Sequence, residues 1–129
     1  MKVVADTHIW IWHVVESPRL SRAARAALKR ASVIGVHPVS CWEVAMLVEA
    51  GRLRLTLPVD AWVEQALSRP RIELLEFSAP AAVRAARFGA AFPGDPCDRF
   101  IVAAALEQGA PLVSADARIR DWGGIRVLG

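Results

Sequence analysis

Short apolar segments alternate with longer helical patterns along almost the whole chain, and this alternation most restricts how it can fold. We expect strands over residues 2–5, 32–36, 72–77, 111–114 and 125–128, separated by helices over 7–16, 20–32, 40–50, 58–68, 79–91 and 95–109. Parallel strands need crossover connections, which helices provide. The sequence therefore predicts an α/β fold with a central, mainly parallel sheet of four to five strands flanked by helices. Without an internal repeat or interdomain linker, we expect one domain over residues 1–129.

The composition is typical of a compact protein rather than a disordered chain, since 54% of the 129 residues are hydrophobic and 22% are charged. No apolar run approaches the roughly 20 residues of a membrane span, so we expect no membrane association. The N-terminus lacks the long apolar region of a signal peptide, which predicts a cytoplasmic protein. We interpret Cys41 and Cys97 as free, buried thiols, because two cysteines are too few for a disulfide framework.

The net charge of +3 comes largely from arginine. One segment carries five of the basic residues: Arg19, Arg22, Arg25, Lys29 and Arg30. A looser group consists of Arg69, Arg71, Arg84 and Arg87. This charge permits nucleic-acid binding without requiring it, because arginines on an amphipathic helix more often form a solvated face.

Four carboxylates stand at ends of strands or starts of helices. Asp6 and Asp116 follow the first and a late strand, while Glu43 and Asp98 fall in the first turns of predicted helices. Each has a structural explanation when taken alone. Asp6 and Asp116 could be N-caps, and Ser40-x-x-Glu43 fits a capping box. Asp98 could interact favourably with the positive end of the helix dipole.

Taken together, these four acids favour a ligand-binding site. The carboxyl ends of parallel strands meet at one edge of a sheet, which is where such folds bind ligands. Carboxylates gathered there repel one another unless a cation relieves them, and all-oxygen ligands suit Mg²⁺ or Mn²⁺ rather than zinc. Asp95, before Pro96, is expected to be a cap, although a supporting role at the site is open.

Other polar side chains near the acids also have two interpretations. Thr7 and Ser114 could orient a carboxylate or cap locally, and Arg99 could steady a phosphate or pair with Asp95. The tryptophans Trp10, Trp12 and Trp42 are predicted to lie in the core or at a dimer interface.

The acids and their surroundings resemble the PIN-domain nucleases, and more narrowly the VapC-type toxins of bacterial toxin–antitoxin pairs. The matching stretches run through nearly the whole chain: Val4-Ala5-Asp6-Thr7-His8, Ser40-Cys41-Trp42-Glu43-Val44-Ala45, Gly51-Arg52-Leu53, Asp95-Pro96-Cys97-Asp98-Arg99-Phe100-Ile101-Val102-Ala103 and Leu112-Val113-Ser114-Ala115-Asp116. The sequence departs from the family pattern at two places. Leu47 stands where a lysine is frequent, and Pro93-Gly94 replaces a common histidine-arginine pair.

The resemblance implies a metal-dependent endoribonuclease that acts as a toxin. Asp6, Asp98 and Asp116 would hold one or two Mg²⁺ ions, with Glu43 as a further ligand or as the group that orients the attacking water. It also implies a cognate antitoxin protein over the acids and a homodimer of the chain. Basic side chains, with the Arg19–Arg30 segment as the candidate, would hold the RNA backbone.

Two alternatives are kept. One is an inactive PIN-like domain that binds RNA or protein without cutting. The other is a different Mg²⁺ enzyme such as an aspartyl-phosphate phosphatase, which would need a second acid two residues after Asp6, where this chain has His8.

Overall fold

The computed structural model describes residues 1–129 as five strands and seven helices. The strands are β1 Lys2–Ala5, β2 Val33–Val36, β3 Ile72–Leu74, β4 Leu112–Val113 and β5 Val127–Leu128. The helices are α1 Thr7–Val14, α2 Arg22–Arg30, α3 Pro38–Glu49, α4 Val59–Leu67, α5 Ala79–Ala86, α6 Pro96–Glu107 and α7 Ala117–Trp122.

All five strands form one parallel sheet in the order β3-β2-β1-β4-β5. β1 lies in the middle, where Val4 is in register with Gly35 of β2 and Leu112 of β4. The predicted α/β class and parallel sheet are therefore confirmed. Asp6 follows β1 and thus stands at the centre of the carboxyl edge.

Both faces of the sheet are covered, which explains why its inner strands are apolar throughout. Val3 and Ala5 of β1 belong to a core that includes Trp10 of α1. Val4 points to the opposite face and packs in a second core with Ile101 of α6. This alternation follows the two-residue period of a strand.

The start of α6 is fixed by its cap and by its burial. Asp95 accepts a hydrogen bond of 3.0 Å from the backbone N–H of Asp98, and Pro96 occupies the first helical position. The side chains of residues 101–105 are buried. The predicted cap is confirmed, and the carboxylate of Asp98 is held on a rigid first turn.

The helix α3 begins earlier than predicted, and the predicted capping box is wrong. Pro38 occupies the first turn of α3, two residues before the predicted start, and its missing N–H costs nothing there. His37 is the cap, and its Nδ1 accepts from the N–H of Val39 at 2.9 Å. Glu43 consequently lies beyond the first turn and does not cap the helix.

Two smaller differences concern the ends of β3 and α5. The strand β3 ends at Leu74 rather than at residue 77, and α5 ends at Ala86 rather than at residue 91. Gly89 follows α5 with a positive φ of 70°, which is incompatible with continuing the helix.

Both cysteines are free as predicted, although only Cys97 is buried and Cys41 is half-buried. No helix combines the length and the apolar character that a bilayer span requires.

Candidate active site

A cavity of about 390 Å³ opens at the carboxyl edge of the sheet. We call it the acidic cavity, and its lining consists of Asp6, His8, Ile9, Trp12, Arg19, Glu43, Asp95, Asp98, Ala115, Asp116 and Arg118. All four carboxylates selected from the sequence thus meet around one space, together with Asp95. They come from four separate parts of the chain, which the parallel sheet brings together.

Asp6 is positioned from both sides. As the N-cap of α1, it accepts a 2.8 Å hydrogen bond at Oδ1 from the N–H of Thr7. Its Oδ2 accepts a 2.8 Å bond from the hydroxyl of Ser114, just after the neighbouring strand β4. Burial raises the pKa of Asp6, while these two hydrogen bonds act in the opposite direction. The ionised Asp6 carboxylate is therefore fixed in orientation, but its hydrogen bonds offset only part of the cost of burying its charge.

Glu43 is held by buried hydroxyl groups. The Thr7 hydroxyl donates a short hydrogen bond to Oε1 of Glu43, and Oγ1 of Thr7 lies 2.8 Å from Oγ of Ser40. Since the Thr7 hydroxyl has a single proton, Ser40 must donate to Thr7. The pKa of Glu43 is raised chiefly by burial and further by Asp95 and Asp6. The orienting role foreseen for Thr7 is thus observed.

Asp98 carries the strongest sign of crowded negative charge. Burial, followed by the charges of Asp6, Asp95 and Glu43, raises the pKa of Asp98 to about 7. The loop before α6 lies directly against this side chain, because a Cβ on Gly94 would stand 2.6 Å from the Cβ of Asp98. In the sequence, Gly94 stands out only as a departure from the family pattern, so its contact with Asp98 was not predicted.

Asp116 differs from the other acids because a cation already balances it. Asp116 caps α7, and its Oδ2 lies 2.9 Å from Nη2 of Arg118. Hydrogen bonding from Arg118 holds the pKa of Asp116 below its ordinary value. The Ser114 hydroxyl accepts from the N–H of Asp116 at 3.0 Å and so links this acid to Asp6. The Asp116–Arg118 pair was not predicted, and its only signal in the sequence is the short spacing.

The structure excludes one of the two predicted alternatives for Arg99 and for Trp42. Arg99 makes no ion pair with Asp95, because its Nη2 donates to the carbonyl of Gly89 at 2.8 Å and its guanidinium stacks on Phe92. Trp42 is 59% exposed, so it is not a core residue, whereas Trp10 is 1% exposed.

The chemistry of the acidic cavity suits a hard divalent cation, although its side chains are not arranged as a preformed site. No group of three or more His, Cys, Asp or Glu side chains stands close enough to hold a metal ion. Burial first, and then the charges of neighbouring carboxylates, raise the pKa of Asp98 and Glu43, and a cation would relieve the repulsion between these acids. Oxygen donors alone match Mg²⁺ or Mn²⁺, and binding would require side-chain rotation.

Comparison with known proteins agrees with this architecture. The chain matches the family model of the PIN domain over residues 3–124. It is 37% identical over 118 residues to Ribonuclease VapC22 of Mycobacterium tuberculosis, covering 92% of this chain and 89% of that protein.

Solved structures with this fold include toxin–antitoxin complexes. The DNA-bound VapBC structure from Salmonella typhimurium aligns with a TM-score of 0.68 and 24% identity, over 98% of this chain and 96% of that one. A toxin–antitoxin complex from Klebsiella pneumoniae aligns with a TM-score of 0.69 and 18% identity, over the same shares of the two chains. At these identities the likeness concerns the fold.

Proposed function

Because the chain belongs to the PIN domain family, we propose that it is a metal-dependent endoribonuclease that cleaves RNA phosphodiester bonds as the toxin of a toxin–antitoxin pair. The observation that carries this proposal is the convergence of Asp6, Glu43, Asp98 and Asp116 in one cavity. The 37% identical ribonuclease supports the choice of RNA as substrate. No second acid follows Asp6 at position 8, so a phosphoryl-aspartate mechanism has no support.

We assign the metal ligands to Asp6, Asp98 and Asp116, with Glu43 as a further ligand or as the group that orients the attacking water. A bound Mg²⁺, or Mn²⁺ in its place, would activate water and offset the negative charge of the phosphate. Ser114 fixes the Asp6 carboxylate, and the capped first turn of α6 fixes Asp98. Thr7 directs Glu43 toward the cavity through its hydroxyl group.

The test is cleavage of RNA by Asp6→Asn and Asp98→Asn in the presence of Mg²⁺. Asparagine keeps the shape of the side chain and removes its charge, so we expect at least a hundredfold loss of rate, roughly the effect of losing a group that acts directly at the site. Asp60→Asn is the matched control, because Asp60 is an exposed acid on α4 outside the cavity. Undiminished cleavage by both site variants would refute the proposal, and RNA binding without cleavage by the wild type would favour the inactive binding domain.

The proposed antitoxin has a suitable surface beside the acids. A groove of about 260 Å³ shares His8, Trp12 and Arg19 with the acidic cavity and is otherwise lined by Ile11, Leu47, Arg52 and Leu53. An antitoxin segment with apolar side chains would fill this groove, and a basic side chain next to them would reach the carboxylates. Such a segment should inhibit cleavage when added as a peptide, and its failure to bind the chain would contradict this assignment.

We propose a homodimer and a cytoplasmic location. Trp42 on α3 and Val83 on α5 are 59% and 51% exposed, and both helices contact α6. Exposed apolar side chains on neighbouring helices are typical of an interface. Light scattering that gave the mass of a monomer at micromolar concentration would contradict the dimer.

A further inference from the structure

A second cavity, of about 260 Å³, has the opposite charge from the first. We call it the basic cavity, and its lining consists of His13, Glu16, Leu20, Arg25, Leu28, Lys29, Arg69 and Arg71. Four permanent cations therefore face one acid. They come from α2 and from the segment before β3, and the sequence had shown them only as two separate basic groups.

None of these four cations is neutralised by an ion pair. The ion pairs of the molecule join Lys2 to Glu73, Arg84 to Glu107 and Arg118 to Asp116. Like charges that converge without an ion-pair partner repel one another, and an anion in the cavity would reduce that repulsion.

Two of the arginines are held in place by backbone carbonyls. Arg71 donates from Nη1 to the carbonyls of Leu28 and Ala31, at 2.7 and 2.6 Å, near the end of α2. Arg69 donates from Nη2 to the carbonyl of Val14, at the end of α1. A guanidinium has five N–H donors, so each arginine keeps donors free for a ligand while its position is already fixed.

The pKa of His13 is lowered by burial and in part by the positive charges around the cavity. Burial lowers the pKa of His13 most, and the charges of Arg69, Arg71 and Arg25 lower it further. Glu16 alone acts in the opposite direction.

The helix α1 contributes side chains to both cavities, with His8, Ile9 and Trp12 at the acidic cavity and His13 at the basic one. Thr7 at the start of α1 contacts Glu43, and His13 lies six residues later, about 9 Å along the helix axis at 1.5 Å per residue. In the segment after α1, Arg19 lines the acidic cavity and the next residue, Leu20, lines the basic one. A single extended strand bound at the acids could therefore reach the basic cavity.

We propose that the basic cavity binds backbone phosphates of the RNA strand whose cleaved bond lies in the acidic cavity, an inference that rests on the proposed function. Planar guanidinium groups match the geometry of phosphate oxygens. The sequence points to the whole Arg19–Arg30 segment as the candidate for holding RNA. In the structure, Arg25 and Lys29 line the basic cavity, whereas Arg22 and Arg30 on the same helix do not.

The experiment compares two charge-matched double variants of α2. Arg25→Gln/Lys29→Gln removes two cavity cations, and Arg22→Gln/Arg30→Gln removes two exposed cations outside it. Binding of a short single-stranded RNA of mixed sequence is measured by fluorescence anisotropy in EDTA over a range of salt concentrations. Without metal, the measurement does not depend on cleavage, so a failed nuclease assay and a failed binding assay are separate results.

For the cavity variant we expect the negative slope of log K against log salt to decrease in magnitude by about 1.4, at about 0.7 per phosphate contact. This corresponds to roughly tenfold weaker binding at physiological salt. The control variant should bind as the wild type does. Equal effects of the two variants, or no effect of either, would overturn the inference.

A second arm tests inorganic phosphate as the ligand. The inference predicts that phosphate competes with RNA for the wild-type protein and competes less well for the cavity variant. If phosphate raised the melting temperature of the wild type alone, while RNA bound equally to both variants, the cavity would take free phosphate and the RNA assignment would be wrong.

Discussion

The contact between Thr7, Ser40 and Glu43 gives the sharpest test of how the site is built. Thr7 is 1% exposed and Ser40 is fully buried, so neither hydroxyl can turn to water. The substitution Thr7→Val keeps the branched shape of the side chain and removes only its hydrogen-bonding capacity. It leaves Glu43 without its buried donor and leaves the Ser40 hydroxyl without a partner.

The expected costs follow from which groups lose their partners. A buried hydroxyl without a partner costs about 1–3 kcal/mol, so we expect Thr7→Val to lower the free energy of unfolding by about 2 kcal/mol. Ser40→Ala should cost only about 1 kcal/mol, because Thr7 still has Glu43 as its acceptor. The double variant removes the hydroxyl that would be stranded, and it should cost less than the sum of the single variants.

Urea unfolding, followed by tryptophan fluorescence, measures these differences for the two single variants and the double variant. RNA cleavage under Mg²⁺ titration measures the effect on Glu43, and we expect Thr7→Val to lower metal affinity or rate by about 10–100-fold. Thr7→Ser retains the hydroxyl and should retain cleavage. Strictly additive stabilities would refute the hydrogen-bond chain, and full activity of Thr7→Val would refute the orientation of Glu43 by Thr7.

Three further predictions concern residues around the same edge of the sheet. The pKa of Asp98 in the folded protein, about 7, lies above its ordinary value of 3.8, so the metal-free wild type should lose stability as pH rises through this window. Asp98→Asn should remove that loss, adding about 1–2 kcal/mol above pH 7 after allowance for solvent screening, as measured by urea unfolding in EDTA. Gly94→Ala should displace Asp98 and lower cleavage about 10–100-fold with unchanged RNA affinity in EDTA, since the new Cβ would stand 2.6 Å from that of Asp98. Burial lowers the pKa of His37 from 6.5 to about 4, so stability should fall by about 2 kcal/mol between pH 7 and pH 5. His37→Asn, which can cap but does not titrate, should flatten this dependence in acid-unfolding curves.

Much of the fold is predictable because both faces of the sheet are buried. The apolar strand Lys2–Ala5 and the capped helix after Asp95 have strong local signals, and the structure places both within two residues of the prediction. The start of α3 was not predictable in the same way. A proline after a strand is compatible with a stop or with the first turn of a helix, and the His37 cap that decides between them was not expected.

Asp6 and Asp116 were predictable because they follow the ends of parallel strands, and Asp98 because it stands in the first turn of a capped helix. The hydroxyl groups that hold Glu43 were harder to predict, because Thr7 and Ser40 are 33 residues apart in the sequence and come into contact only in the folded chain. The basic cavity, too, is formed by residues that are distant in the sequence and meet only in the folded chain. Arg71 and Lys29 come together because the strands that follow them, β3 and β2, are neighbours in the sheet.

Helix capping and ligand binding are compatible roles for these acids rather than competing explanations. A parallel sheet places the end of each strand and the start of the next helix at one edge, so a capping aspartate such as Asp6 or Asp116 also faces the cavity. An ionised carboxylate has about four lone-pair positions, and the cap uses one of them. Asparagine still caps a helix but carries no charge. A loss of cleavage in Asp6→Asn with unchanged stability would therefore assign the function to the charge, whereas a parallel loss of stability would assign it to the cap.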